Sequence, residues 1–398
     1  VNVLHVLPYY APAWAYGGVV RAVTDLTRAQ AAAGHRVFVL TTDTLSPHAR
    51  LQTLRETLEG VQVWRVRNRS NRLRGALNLS SPRGMAAAAE HLIREEGIAV
   101  VHCHELRTVE NLLVTTVAQR LGVPTLVSPH GTLPYHTGRS LVKQLWDRVF
   151  GARLLPRFDG VVALTAHEAE DARRLWRACG QTLSDEAVFV VPNGVRLVDF
   201  ADLPPAEPFR ARWGLGTGPI ALFLGRLHAR KGVQLLIPAF ADATRALPSA
   251  RLLIVGPDEG MRATLETLAR AHGVAERVRF TGLLTGADKL AALAAADVFA
   301  LPAAGEGFSM AALEALACGL PIVLTPGCHF PEVAEAGAGL VVEREIGALS
   351  EALGALLSDR ERRALMGRAA RALVAERYTW ERVVTQMTEL YHRVKDKC

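Results

Sequence analysis

Strand-length apolar runs alternate from end to end with longer stretches in which apolar positions recur at three- and four-residue spacing. In the first half the runs at 3–7, 36–41, 61–66, 100–102, 125–128, 161–164 and 188–191 read as strands. A fresh series follows at 220–224, 251–255, 278–281, 298–301, 321–324 and 340–342. The intervening Ala- and Leu-rich segments read as helices. Continuous strand–helix alternation specifies parallel sheets with helices on both faces, so the fold class is α/β with two doubly wound domains. The first series ends at Pro192-Asn193-Gly194-Val195, and Leu203-Pro204-Pro205-Ala206-Glu207-Pro208 breaks regular structure. The expected organisation is a first domain over 1–200, a linker near 195–208 and a second domain over 201–379. Thr379 is placed to cap a final helix over 380–396 with an apolar face that needs a partner. No repeat or low-complexity tract interrupts this pattern.

Composition narrows the class. The chain has 398 residues, 49% hydrophobic and 21% charged, enough for two buried cores and unlike a disordered or fibrous chain. Its longest apolar runs, such as 161–164 and 252–255, fall far short of the ~20 residues a membrane helix needs. The first apolar run has no basic segment before it and reads as a strand, not a signal peptide. Five scattered cysteines without a Cys-x-x-Cys pair indicate neither a disulfide framework nor a zinc site, which fits a reducing, cytoplasmic setting.

The net charge of +7 is uneven: residues 1–200 carry 23 basic and 17 acidic side chains, residues 201–398 carry 23 and 22. Arg65, Arg67, Arg69, Arg72 and Arg74 lie within ten positions. That cluster fits contact with an anionic membrane or a phosphate-bearing partner, and equally a solvated arginine-rich surface. No nucleic-acid partner is expected.

Candidate chemistry gathers where strands end. Gly305-Glu306-Gly307-Phe308-Ser309-Met310 follows the strand at 298–301 and opens a helix that carries Glu314. Ligands of open α/β sheets bind at such carboxyl edges, and a helix start offers free N–H groups and positive potential to an anion such as a diphosphate. Glu314 could accept hydrogen bonds from ribose hydroxyls, and Glu306 could face a second polyol; as a bare pair they also fit plain surface acids. Gly225-Arg226 and Lys231-Gly232 follow the strand at 220–224, so Arg226 and Lys231 can converge on a pyrophosphate. Gly17-Gly18 lies between the first strand and a long helix, where a phosphate could approach the backbone or where the chain simply turns. His130 closes the strand at 125–128 and is a candidate for binding or proton chemistry. His102-Cys103-His104 has a superficial metal-ligand look but no carboxylate at a suitable helical spacing, so no metal is expected. Neither Gly-x-Gly-x-x-Gly in the first turn, nor a P-loop, nor Gly-x-Ser-x-Gly, nor Asp-x-Asp occurs.

Taken together, Gly17-Gly18, His130-Gly131, Pro192-Asn193-Gly194-Val195, Gly225-Arg226 with Lys231-Gly232, and Glu306 with Glu314 seven residues between resemble the retaining glycosyltransferases of family 4, across essentially the whole chain. The resemblance implies the GT-B architecture, two Rossmann-like domains facing across a cleft, with the final helix crossing back onto the first. It implies that Arg226, Lys231 and the amides of Gly18, Ser309 and Met310 hold the diphosphate of a nucleotide sugar, with Gly17 and Phe308 also on the donor side. Glu314 would hold the ribose, Leu284 would line the base pocket, and Glu306 and His130 would contact the transferred sugar. No cofactor or divalent metal is implied. The expected partners are a UDP- or GDP-sugar donor and a glycan or lipid-linked acceptor, at the inner face of the membrane, in cell-surface polysaccharide or glycolipid synthesis. An epimerase or phosphorylase on the same plan, or an inactive sugar-nucleotide-binding subunit, stays as the alternative. None of the five lysines stands in an obvious pyridoxal-phosphate motif. The sequence departs from the family at Ser309-Met310, where Gly-Leu is common, at Arg196, where Asp is common, and at Gly327-Cys328-His329-Phe330-Pro331-Glu332, where Gly-Gly-x-Pro-Glu is usual.

Overall fold

The computed structural model describes residues 1–46, 48–70, 80–135 and 140–396. The chain forms two compact units: residues 1–194 together with 380–398, and residues 195–379.

The first unit is built on an eight-stranded sheet in the order β3-β4-β2-β1-β5-β6-β7-β8. Its strands are β1 (Asn2–Val6), β2 (Arg36–Thr42), β3 (Arg55–Leu58), β4 (Val61–Val66), β5 (Val100–His104), β6 (Thr125–Ser128), β7 (Gly160–Ala163) and β8 (Val188–Val190). Every pairing is parallel except that of β3 with β4. The second unit has a wholly parallel six-stranded sheet, β11-β10-β9-β12-β13-β14. Its strands are β9 (Ile220–Leu224), β10 (Arg251–Val255), β11 (Val278–Gly282), β12 (Val298–Leu301), β13 (Ile322–Leu324) and β14 (Gly339–Val341). The thirteen expected strands are all present with ends within two residues. The additional one, β3, is a polar edge strand, Arg-Glu-Thr-Leu, with no buried face to give it an apolar pattern.

The final helix, Trp380–Lys395, belongs to the first unit. Trp380, Val383, Val384, Met387, Tyr391 and Val394 recur at helical spacing and are buried in a cluster with Val3, Val23, Leu26 and Val37. Fully burying side chains of this size contributes roughly 1.5–3 kcal/mol each, so the helix is an integral wall of that unit. Among the described residues no helix is long and apolar enough to cross a membrane.

The arginine cluster resolves into distinct environments. Arg65 is buried, not displayed: its guanidinium pairs with Glu56 and donates to the carbonyl oxygens of Ala11 (2.8 Å) and Thr53 (3.3 Å). This corrects the expectation that it meets a membrane. Arg65 sits in β4 beside buried Val63 and Val66, where the sheet leaves its charge no route outward except through an ion pair. Arg67 reaches Asp43 at 3.3 Å, and Arg69 is exposed. Arg72 and Arg74 lie outside the described residues.

Candidate functional site

In the second unit β9 and β12 are neighbours, and the chain leaves them in opposite directions across the sheet, toward β10 and toward β13. Their carboxyl ends therefore form the switch point at which open α/β sheets bind ligands. The loop after β9 carries Arg226, Arg230 and Lys231; the loop after β12 carries Glu306 and leads into the helix Met310–Ala317.

Close backbone contacts lock these loops together. Ala304 N donates to Arg230 O at 2.7 Å, and the Arg230 guanidinium donates to Gly305 O at 3.0 Å. Gly232 has φ +80°, and a β-carbon there would stand 2.0 Å from Pro302 O, so only glycine lets the loops meet this closely. Across the junction Lys231 Nζ lies 2.6 Å from Glu306 Oε1, with both side chains largely buried. Arg226 pairs with Glu259 at 2.6 Å in a far more exposed position.

Ser309 caps the helix, its Oγ accepting from Ala312 N at 3.2 Å. The departure from Gly-Leu thus supplies a side-chain cap while leaving the first-turn amides of Met310 and Ala311 without helical acceptors. One turn on, Glu314 Oε1 lies 2.7 Å from Lys289 Nζ. The unusual 327–332 turn is stapled to the same place. Glu306 N donates to Gly327 O at 2.8 Å, Cys328 Sγ donates to Leu301 O, and Phe330 packs with Phe308 and Tyr378. Phe308 therefore belongs to an aromatic cluster, and Leu284 is buried in the core of this unit beside the exposed Leu283.

The first unit has its own switch point, between β1 and β5. Gly17, at φ +95°, precedes the helix Gly18–Ala32, and both glycines are exposed with open space where a side chain would be. That helix start has no side-chain cap, so its first amides are available to an anion. His130 follows β6 in a left-handed conformation, φ 56°, half-buried. Gly131 N donates to Glu168 Oε1, and Leu164 N to Glu168 Oε2 at 2.8 Å. Burial pushes the Glu168 carboxyl up to about 7, against the pull of these two amides.

Behind His130 lies a buried histidine cluster. His104 Nδ1 is 2.9 Å from His130 Nε2, and His104 Nε2 is 2.8 Å from His5 Nδ1. One nitrogen from each of His5, His102 and His104 lies within 4.8 Å of the others, and each ring nitrogen of the three has a hydrogen-bond partner in the protein. Burial lowers all four pKa values, to about 4 for His5 and His130. These are neutral imidazoles at neutral pH.

The structure thus brings Arg226, Lys231, Glu306, Ser309, Met310 and Glu314 to one edge of the second unit, and Gly17, Gly18 and His130 to the carboxyl edge of the first. Lys289, Glu259 and Arg230 escaped sequence reasoning because no local motif marks them. Glu168 could have been found from Thr165-x-x-Glu168, a capping-box spacing in which Thr165 Oγ1 accepts from Glu168 N.

Two doubly wound units of this kind, each with its loops at the carboxyl edge of a parallel sheet, are the parts of a GT-B fold. Residues 206–373 match the family described as Glycosyl transferases group 1, and residues 17–194 match the Glycosyl transferase 4-like domain. The chain is 30% identical to a D-inositol 3-phosphate glycosyltransferase of Xylanimonas cellulosilytica, over 94% of this chain and 91% of that one. It is 36% identical to a GDP-mannose-dependent monoacylated alpha-(1-6)-phosphatidylinositol monomannoside mannosyltransferase of Corynebacterium glutamicum, over 62% of this chain. That alignment takes in 66% of the relative, just under two thirds of its length. The sucrose-phosphate synthase of Thermosynechococcus elongatus superposes over 100% of both chains with a TM-score of 0.76 at 22% identity, a likeness of fold. The chain belongs to the group 1 glycosyltransferases of family 4.

Proposed function

We propose that the chain is a retaining glycosyltransferase that moves a hexosyl group from a nucleoside diphosphate sugar to a lipid-linked or glycan acceptor without a divalent cation. The observation that carries this reading is the placement of Lys231 beside Glu306, directly ahead of the start of the Met310–Ala317 helix. Mannose is the first sugar to test and an inositol-bearing lipid the first acceptor, because relatives named for GDP-mannose and for inositol acceptors share the family.

In this reading the bond from the sugar's anomeric carbon to the diphosphate oxygen breaks, its electron pair leaving with the diphosphate. Lys231, Arg226 and the helix amides stabilise the growing negative charge where another enzyme would use a metal. The acceptor hydroxyl oxygen forms the new bond on the face the diphosphate leaves, and its proton passes to a diphosphate oxygen. Glu314 holds the ribose, Glu306 contacts the transferred sugar, and Lys231 and Lys289 hold these carboxylates in place. In the first unit, the Gly18 amide faces phosphate and His130 faces a sugar hydroxyl. At the membrane, Arg67 and Arg69 remain the contacts to test.

The test is transfer of labelled sugar from a panel of GDP- and UDP-sugars to phosphatidylinositol and soluble inositol phosphates, with EDTA present. Transfer in EDTA with retained anomeric configuration, shown by NMR of the product, supports the reading. A product of inverted configuration, or activity restored only by added magnesium or manganese, overturns it.

A further inference from the structure

The His102-Cys103-His104 segment is part of a longer hydrogen-bonded line. It runs Ser128 Oγ, His102, Tyr391, Gln30, His5, His104, His130, drawn from three neighbouring strands and two helices of the first unit. The steps are 2.8 Å from Ser128 Oγ to His102 Nε2, 2.9 Å from His102 Nδ1 to Tyr391 Oη, and 3.0 Å from Tyr391 Oη to Gln30 Nε2. They continue at 2.8 Å from Gln30 Oε1 to His5 Nε2, 2.8 Å from His5 Nδ1 to His104 Nε2, and 2.9 Å from His104 Nδ1 to His130 Nε2. Every member before His130 is essentially fully buried.

Donor and acceptor arithmetic leaves this line little freedom. A neutral imidazole has one donor nitrogen and one acceptor nitrogen. The amide oxygen of Gln30 can only accept, so His5 Nε2 carries a proton and His5 Nδ1 is bare. His104 must then donate from Nε2, which leaves its Nδ1 bare; His130 must donate from Nε2, which leaves its own Nδ1 bare. On the other side the Gln30 amide nitrogen donates to Tyr391, whose hydroxyl donates to His102 Nδ1, and His102 Nε2 donates to Ser128. Reversing the line requires the Gln30 amide to turn over, with its nitrogen on His5 and its oxygen on Tyr391, opposite to the orientation it has here; any single misdirected member leaves a buried donor facing a donor, which costs roughly 1–3 kcal/mol.

We propose that Gln30, through His5 and His104, fixes the tautomer of His130 so that the imidazole offers a bare Nδ1 as a hydrogen-bond acceptor. Gln30, His5 and His104 are positioning residues that touch no ligand. The neutrality of the rings supports the proposal, since burial holds each below its ordinary pKa. Resting on the reading that His130 faces a sugar hydroxyl, the bare nitrogen selects a hydroxyl that can donate and disfavours the deoxy or methylated sugar at that position.

The experiment is ligand-free NMR of the full chain labelled with ¹⁵N-histidine, using two-bond ¹H–¹⁵N correlations at neutral pH, with assignments from His5→Gln, His104→Gln and His130→Gln. The wild type is expected to show His5, His104 and His130 all as single Nε2–H tautomers. In Gln30→Leu the His130 signals should shift toward a tautomer mixture. In Gln30→Glu, whose carboxylate can only accept, His130 should remain Nε2–H while His102 reverses to Nδ1–H. An Nδ1–H tautomer at His130 in the wild type overturns the proposal, as does an unchanged single tautomer in Gln30→Leu. Wild type and Gln30→Glu decide the matter even where Gln30→Leu does not fold. Because no sugar is present, a failed transfer assay leaves this result standing, and a wrong tautomer leaves the transfer assay standing.

Discussion

Lys231 and Glu306, from two different loops, meet at 2.6 Å with side chains only 20% and 11% exposed. Each is the other's charge partner in a partly desolvated place, so removing one strands the other. Lys231→Ala is expected to lower kcat/KM by roughly 10- to 100-fold, since hydrogen bonds to charged groups contribute about 1.5–3 kcal/mol. In a thermal denaturation cycle the Lys231→Ala/Glu306→Ala protein should be more stable than the sum of the two single losses implies. Additive losses would show that the pair is not coupled.

Gly232→Ala tests the backbone beneath that pair. A methyl group 2.0 Å from Pro302 O cannot be accommodated, and φ +80° disfavours alanine in any case. The strained conformation alone costs on the order of 1–3 kcal/mol, so a clear drop in Tm is expected together with weakened donor binding. Gly17→Ala, at φ +95° but with open space around it, should show the backbone cost without the clash. Equal Tm losses in the two variants would mean that the close approach is not what fixes Gly232.

The strand positions, the loops at their carboxyl ends and the helix start near Ser309 could be read from the chain because they depend on local pattern: apolar runs, glycines after strands, a polar residue before a helix. Arg65 could not be read. Its neighbours Arg67 and Arg69 share its spacing, and only the sheet packed around β4 turns it inward to Glu56. Lys289 and Gln30 were equally hidden, because the partners that give them meaning lie 25 and 361 residues away in the chain.

Arg65→Ala should therefore act on stability, not on membrane affinity. It removes the partner of Glu56 and leaves the carbonyls of Ala11 and Thr53 unmatched, an expected loss of roughly 1–3 kcal/mol in urea unfolding. Binding to vesicles containing anionic lipid should match wild type in the folded protein. Reduced vesicle binding without a change in unfolding midpoint would return Arg65 to the surface role.

The histidines and Glu168 make opposite contributions to pH dependence. His5 and His130 titrate near 4 when folded against 6.5 when free, so the unfolded chain binds more protons between those values. Stability from them is fully present above pH 6.5 and is lost as pH falls toward 4. Glu168 is raised from 4.5 to about 7, so the folded chain holds the extra proton and its contribution declines as pH rises from 4.5 to 7. His5→Gln should flatten the acid-side loss, and the stability deficit of Glu168→Gln should shrink as pH rises across that window. Thermal melts between pH 4.5 and 7.5 measure both, and parallel curves for wild type and variants would contradict the assigned directions.

Glu314 and Lys289, 2.7 Å apart and each 18% exposed, provide the sharpest test of donor orientation. A carboxylate that accepts from two ribose hydroxyls discriminates against a nucleotide lacking one, because its own acceptor atoms are then left unmatched. Wild type should bind the cognate ribonucleoside diphosphate well above its 2′-deoxy form, and Glu314→Ala should remove most of that difference, chiefly by weakening the ribonucleotide. Lys289→Ala keeps the carboxylate but frees it to rotate, so it should reduce the discrimination less and raise KM for the donor more than it lowers kcat. Calorimetric titration of both nucleotides into the three proteins reads the ratio directly. A ratio unchanged in Glu314→Ala would mean that the ribose lies elsewhere, and the diphosphate contacts assigned to Lys231 and the helix start would then have to be tested independently of Glu314.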